Sequence, residues 1–265
     1  MNRLSESVER VADRRNNQIA YKKFARKRRK IKLLKVIITI IGLIAAIALF
    51  IYLCQAREIS VSGNAEYAAE MIKSDIITNT FERNTLYQRI IGILKKRPEI
   101  SYLDDYEIAY PGINKMVIKV YEKQPVAYLM IDQSCVLFSK DGVVLKISNE
   151  PPADIPRIEG LEMDTIILYQ ALQAKDTGVF TTVKNLVEII KKNELNPDRI
   201  LVNEESEIEL YFGNVTVMLG TDDSIEDKIA KLIAIMPNLE GRNGILYMQD
   251  VDENTDEVSF IKTKP

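Results

Sequence analysis

The chain has 265 residues, with 36 Lys and Arg against 38 Asp and Glu, no histidine, two cysteines and no tryptophan, and is long enough for one large domain or two ordinary ones. Without histidine, Ser-His and Cys-His catalysis, HExxH zinc and most catalytic zinc sets are excluded. Two cysteines exclude a disulfide-stapled scaffold and any four-cysteine zinc site. The composition points away from an enzyme and gives no reason to expect a metal or a cofactor.

Charge is unevenly spread. Residues Met1 to Lys35 carry 13 basic side chains against Glu6, Glu9 and Asp13, a net of +10, and the remaining 23 basic and 35 acidic residues leave −12 beyond them. The next 19 residues, Val36 to Cys54, contain no charge, and at about 1.5 Å per residue they match the roughly 30 Å apolar core of a bilayer. This run predicts a transmembrane helix over 36–54, preceded by a basic tail over 1–35. The exit sequence offers no A-x-A pattern, and Leu53 before Cys54 is too bulky for a lipoprotein cleavage site, so the helix reads as an uncleaved anchor. Basic residues flanking a span stay cytoplasmic, which puts the N-terminus inside and some 210 residues outside the cytoplasmic membrane. The stretch Lys22 to Lys35 abuts the span and reads as topology and anionic-lipid contact rather than nucleic-acid binding. Cys54 at the membrane edge and Cys135 in a strand are expected to remain unpaired, with Cys135 a half-buried structural thiol.

Beyond the span, Glu58 to Val61 alternates as a strand, and Gly63-Asn64 is a turn leading into helical spacing at Ala65, Ala68, Ala69, Ile72 and Ile76. A second helical set, Leu86, Ile90, Ile93 and Leu94, ends before Pro98. Tyr102 to Tyr110 and Lys115 to Glu122 have the period-two pattern of strands, joined by Pro111-Gly112. The order strand, helix, helix, strand, strand predicts a small domain over 57–124 with both helices on one face of a three-stranded sheet. Pro125 marks the junction to a second domain over 125–250. There, Ala127 to Ile131, Cys135 to Ser139 and Val143 to Ile147 read as strands, the last two joined at Asp141-Gly142. Thr165 to Lys175 and Thr181 to Asn193 read as helices, and Ile200 to Asn203, Glu207 to Phe212 and Val215 to Leu219 as strands. A helix over Ser224 to Met236 is expected to be capped by Ser224. Strands at Ile245 to Asp250 and Val258 to Lys262 flank the acidic loop 252–257, and 251–265 form a C-terminal segment. The fold class is α+β.

Four stretches of this sequence resemble the bacterial cell-division family called FtsQ in Gram-negative and DivIB in Gram-positive bacteria. Ile59 to Asn64 resembles the first strand and turn of a POTRA (polypeptide-transport-associated) domain. Tyr110 to Tyr128 is similar to its third strand and exit, an aliphatic strand ending in the pattern E-[RK]-x-P-[VI]-A, here Glu122 to Ala127. Asp141-Gly142-Val143-Val144 resembles the hairpin opening the family's β domain, and Pro156 to Gly160 the Pro-x-Ile-x-Gly turn after it. Taken one by one, Gly63 need only supply a positive φ and Glu122-Lys123 reads as solvated charge. The chain departs from the family's Asp-x-Arg-Tyr pattern near the end, where it has Ile245 to Asp250.

The resemblance implies a non-enzymatic, single-pass scaffold of the divisome, with its outer domains at the division septum. Its partners would be FtsL-type and FtsB/DivIC-type proteins and, through them, the septal peptidoglycan synthase. Binding would proceed by strand addition at a sheet edge, on which reading the partner-binding residues are Ile245, Leu246, Tyr247, Met248, Gln249 and Asp250; the same segment equally suits an interior or self-capped strand. Two other classes compete. A membrane-anchored Ser-Lys peptidase would have to use Ser139-Lys140, but neighbours in a strand face opposite ways and no Ser-x-Met-x-Pro segment follows the span. A POTRA translocation component would carry several POTRA copies and a barrel.

Overall fold

The computed structural model describes residue 30, residues 32–251 and residues 258–263. The basic tail up to residue 29 and the acidic loop 252–257 lie outside the described residues. Helix α1, Lys32–Leu53, begins one turn before the uncharged run and is exposed along its whole length. It is long and apolar enough to cross a membrane.

The β-α-α-β-β order follows: β1 (Glu58–Ser62), α2 (Ala69–Ile76), α3 (Thr85–Leu94), β2 (Leu103–Ala109) and β3 (Lys115–Glu122), with the strands in the order β1-β3-β2. Alternation buries Leu103, Tyr106 and Ile108 on β2 and Met116, Ile118 and Val120 on β3, as period two requires. Helix α2 starts later than its spacing implied and buries Ile72 and Ile76. Helix α3 is capped by Asn84, whose side chain accepts the Leu86 and Tyr87 N–H groups. Its apolar side chains are not packed away as expected: Ile90, Ile93 and Leu94 are 48%, 85% and 71% exposed.

Pro125 opens β4 (Pro125–Ile131), and β5 (Ser134–Ser139), β6 (Val144–Ser148), β7 (Arg157–Glu159), β10 (Arg199–Val202), β11 (Ile208–Phe212), β12 (Val215–Gly220), β13 (Gly244–Tyr247) and β14 (Ser259–Lys262) complete one nine-stranded sheet. Two short strands, β8 (Met163–Thr165) and β9 (Gln173–Ala174), pair separately. The large sheet runs in the order β14-β13-β12-β11-β10-β7-β4-β5-β6. Direct register partners make an apolar row from Phe260 through Leu246, Val217, Leu210, Ile200, Ile158 and Leu129 to Val136. On this row lie α4 (Thr177–Lys192), through Val183, Leu186, Val187 and Ile190, and α5 (Ile225–Ile235), through Ile229 and Leu232. Asp176 caps α4 by accepting the Gly178 and Val179 N–H groups.

Three local expectations need correction. Thr165 to Lys175 is not a helix. Its backbone groups bond across the chain instead: Val144 N–H to the Gln170 carbonyl, Tyr169 N–H to that of Val144 and Leu172 N–H to that of Gly142. Ser224 does not cap α5 with its side chain; it adopts a left-handed conformation (φ 51°), and its carbonyl accepts the Lys228 N–H. Cys135 is fully buried rather than half-buried, and it and Cys54 are free thiols.

The described residues separate into two compact units, one built from those up to Ser60 with Glu70–Arg97 and Ile108–Ile118, the other from Val61–Ala69, Pro98–Glu107 and those from Lys119 onward. The division between these units runs through the three-stranded sheet. Contacts within the second unit account for this. The buried Glu122 carboxylate accepts the N–H groups of Ala65, Glu66 and Tyr67 at 3.1, 2.9 and 3.1 Å. The rings of Tyr67, Tyr102 and Tyr169 cluster at centroid distances of 4.5, 5.1 and 5.9 Å, and Lys146 pairs with Glu66. Glu122 and Lys123 are therefore not solvated charge, since Lys123 reaches Asp141 at 2.7 Å. At Gly63, φ is +86° and a Cβ would lie 2.5 Å from the Val120 carbonyl oxygen, so glycine there answers a close approach as well as a turn.

Candidate partner-binding edge

Strand β13 is where the sequence placed a free edge, and the structure corrects this. It pairs in parallel with β12 (Thr216 opposite Ile245, Met218 opposite Tyr247) and antiparallel with β14 (Ile261 opposite Ile245, Ser259 opposite Tyr247). Both of its sides are taken, and among the described residues β14 is the edge. The physical reason is local: the chain after Asp250 returns and lays its last strand on β13, the self-capped alternative that the same residues allowed.

The six residues named from sequence separate by parity. Leu246 and Met248 are 1% and 0% exposed and belong to the core under α4 and α5, and Met248 N–H bonds the Met218 carbonyl at 2.9 Å. Ile245 and Tyr247 lie half-buried on the other face, while Gln249 and Asp250 are exposed. Asp250 has a neighbour that the sequence reading missed. Lys228, on α5 and 1% exposed, donates from Nζ to the carbonyls of Leu219 and Thr221 at 2.9 and 3.1 Å. Burial pulls its pKa down, opposed by the carboxylates of Asp223, Asp222 and Asp250. A lone lysine on an otherwise apolar helical face was the only sequence signal for it.

The two ends of the sheet differ. At β6 the loop 166–172 bonds Val144 on both its N–H and its carbonyl and bridges Val143 to Ala171, so that edge is partly occupied. At β14, Ile261 is 54% exposed and Ser259 and Lys262 are exposed, and an edge strand offers a further strand the backbone groups of its open side. The face it shares with Ile245 continues through Thr216 and Tyr211 to Arg199. Arg199 stacks 3.8 Å over the Tyr211 ring and pairs with Glu159 at 3.0 Å. Burial, with the Glu209 carboxylate bonded to its hydroxyl, raises the Tyr211 pKa. Gly244 sets the fit of β14: a Cβ there would sit 2.5 Å from the Ile261 carbonyl oxygen and 2.6 Å from Phe260 Cζ. Ser139, the other residue weighed for chemistry, is buried with its hydroxyl accepting the Val143 N–H in the β5–β6 turn. Among the described residues, no group of three or more Cys, Asp or Glu is placed to hold a metal.

These features define a class: an α+β protein with an apolar helix of membrane-spanning length at its N-terminal side and a long mixed sheet that, among the described residues, ends on its C-terminal strand. The C-terminal domain description of the cell division proteins FtsQ/DivIB matches residues 127–253, which contain β13 and most of the large sheet. The chain is similar to the cell division protein DivIB of Clostridium botulinum strain Hall, 24% identical over 246 residues that cover 91% of this chain and 96% of the relative. It is also similar to DivIB of Clostridium tetani, 24% identical over 211 residues covering 76% and 79%, and of Clostridium acetobutylicum, 23% identical over 186 residues covering 68% and 72%. The domain match and these relatives support the FtsQ/DivIB family and a role in cell division, and helix α1 is long and apolar enough to anchor such a protein in a membrane.

Proposed function

We propose that the chain is a non-enzymatic, single-span divisome scaffold that captures FtsL-type and FtsB/DivIC-type proteins outside the cytoplasmic membrane and, through them, acts on septal peptidoglycan synthesis. On this reading the N-terminus is cytoplasmic, 57–124 is the POTRA-like module and 125–250 the β domain, and the protein is enriched at the septum. The observation that carries the capture mechanism is the open β14 edge at the C-terminal end of the nine-stranded sheet. A partner strand adding there gains main-chain hydrogen bonds for affinity and alternate side-chain positions for selectivity. Ile245 to Asp250 form the template that presents β14, with Ile245 and Tyr247 on the face a partner side chain would reach. The acidic loop 252–257 suits basic residues on that partner.

Two measurements test this reading. A fluorescent fusion should collect at midcell in dividing cells, and uniform membrane label would contradict the divisome scaffold. A photo-crosslinker at Ile261 should capture the FtsB/DivIC-type protein, whereas the same group at Ile147 on β6 should not; capture from β6 alone would move the binding edge to the other end of the sheet.

A further inference from the structure

Within the first compact unit, three segments converge on the point where α1 ends. The Thr85 N–H and hydroxyl both donate to the Cys54 carbonyl, at 2.9 and 3.1 Å, and the Asn84 amide reaches the Ile51 carbonyl at 2.8 Å. The Ala56 N–H bonds the Arg83 carbonyl at 2.8 Å and the Arg57 N–H that of Asn114 at 2.9 Å, while the Thr85 hydroxyl also faces the Ile113 carbonyl. The start of α3, the loop before it and the β2–β3 turn are thereby fastened to the end of the membrane-length helix.

Each of these segments exposes large apolar side chains. Phe81 is 73% exposed, Ile113 59%, and on α3 Ile93 and Leu94 are 85% and 71%. At 100° per residue, Leu86, Tyr87, Ile90, Ile93 and Leu94 fall within an arc of about 120°, so α3 carries one continuous apolar face. Exposed apolar surface of this kind marks an interaction site. The occupant follows from continuity and charge. The patch begins where α1 ends, at the level where a bilayer spanned by α1 has its interface. From Arg83 to Arg97 there is no acidic residue, while Arg83, Arg89, Lys95 and Lys96 are present and exposed, a composition that suits anionic headgroups.

We propose that α3, with Phe81 and Ile113, is a membrane-interface surface whose apolar face inserts among lipid headgroups beside the span. Interfacial helices bury such a face by roughly 5–10 Å. The surface fixes the outer region at the bilayer independently of which partner the large sheet binds. The chain has no tryptophan, so an introduced indole reports alone. The full-length protein carrying Ile93→Trp, reconstituted in phosphatidylcholine–phosphatidylglycerol vesicles, should show blue-shifted emission and be quenched several-fold more strongly by brominated lipid than the same protein carrying Gln88→Trp on the opposite side of α3. Leu94→Trp should behave as Ile93→Trp does, which guards against a local disturbance at one site, and circular dichroism checks that each variant is folded. Replacing phosphatidylglycerol by phosphatidylcholine should weaken the quenching. Equal quenching at positions 88 and 93, or emission at position 93 that is red-shifted and freely quenched by acrylamide, overturns the proposal.

Discussion

Glu122 gives the most discriminating test of how residues 65–67 are held within the second compact unit. Its carboxylate accepts three consecutive backbone N–H groups, two on Oε1 and one on Oε2. Replacing it with alanine strands all three donors, but they are not equally costly: Ala65 and Glu66 are exposed and can be rehydrated, whereas Tyr67 is 7% exposed. One buried unpaired N–H costs about 1–3 kcal/mol, and losing two water-accessible bonds to a charged acceptor adds less than their full worth, so Glu122→Ala should destabilise by about 2–4 kcal/mol. Glu122→Gln keeps one acceptor oxygen but turns an amide N–H₂ toward a donor, and should cost about half as much. Lys123→Ala removes only a partly exposed ion pair and should cost under about 1 kcal/mol. The assay is urea unfolding of the fragment 57–265, followed by near-ultraviolet tyrosine circular dichroism, to which the Tyr67, Tyr102 and Tyr169 cluster contributes. A loss below about 0.5 kcal/mol for Glu122→Ala would refute the capping role.

Other expectations follow from the same geometry. Burial, aided by the charges of Glu122 and Glu66, raises the Tyr67 hydroxyl pKa to about 12 from its ordinary value of 10.0. The folded state therefore holds its proton more tightly, so Tyr67 contributes stability fully below pH 10 and loses it as pH rises toward about 12. The stability of the Tyr67→Phe protein should fall less steeply over that window, and parallel pH profiles would count against the shift. Gly244→Ala should push β14 off the sheet, seen as faster hydrogen exchange confined to Ser259–Lys262 with β12 still protected, because the added Cβ meets the Ile261 carbonyl oxygen at 2.5 Å; unchanged exchange would show that the strand adapts. Met248→Pro deletes the bond to the Met218 carbonyl in a fully buried position and should cost about 3 kcal/mol or more. It should unfold the large sheet rather than remove partner binding alone, as a lowered unfolding midpoint would record.

How far the sequence carried the fold depends on the period and reach of each signal. Strands that alternate or are uniformly apolar over five or more residues, such as Lys115–Glu122 and Val215–Gly220, were legible with bounds within a residue. Strand β7 was not, because its three residues Arg157–Glu159 are too few to show a period, and they read as part of a turn although they lie inside the large sheet between β10 and β4. Thr165 to Lys175 showed a helix-like pattern, but hydrogen bonds to residues 142 and 144 outcompeted local ones, a tertiary override that no window can display. The apolar face of α3 was read correctly as a face, yet spacing says only that a face exists and not what covers it. Glu122 looked like surface charge because its partners lie 55 to 57 residues away. At the candidate edge, both C-terminal strands were visible in the sequence; their lateral order was not, since the pattern of side chains is the same whether a strand lies at an edge or one place inside it.

On the proposed mechanism a division partner adds its strand to β14. Hydrogen exchange of the outer region with and without the outer segment of an FtsB/DivIC-type protein reads this at the backbone. New amide protection should concentrate at Ser259–Lys262, with the interior strand Gly244–Tyr247 slowed only secondarily and β6 unchanged. Protection that appears on β6 or on the β1-β3-β2 sheet, while 259–262 exchange as in the free protein, would contradict it.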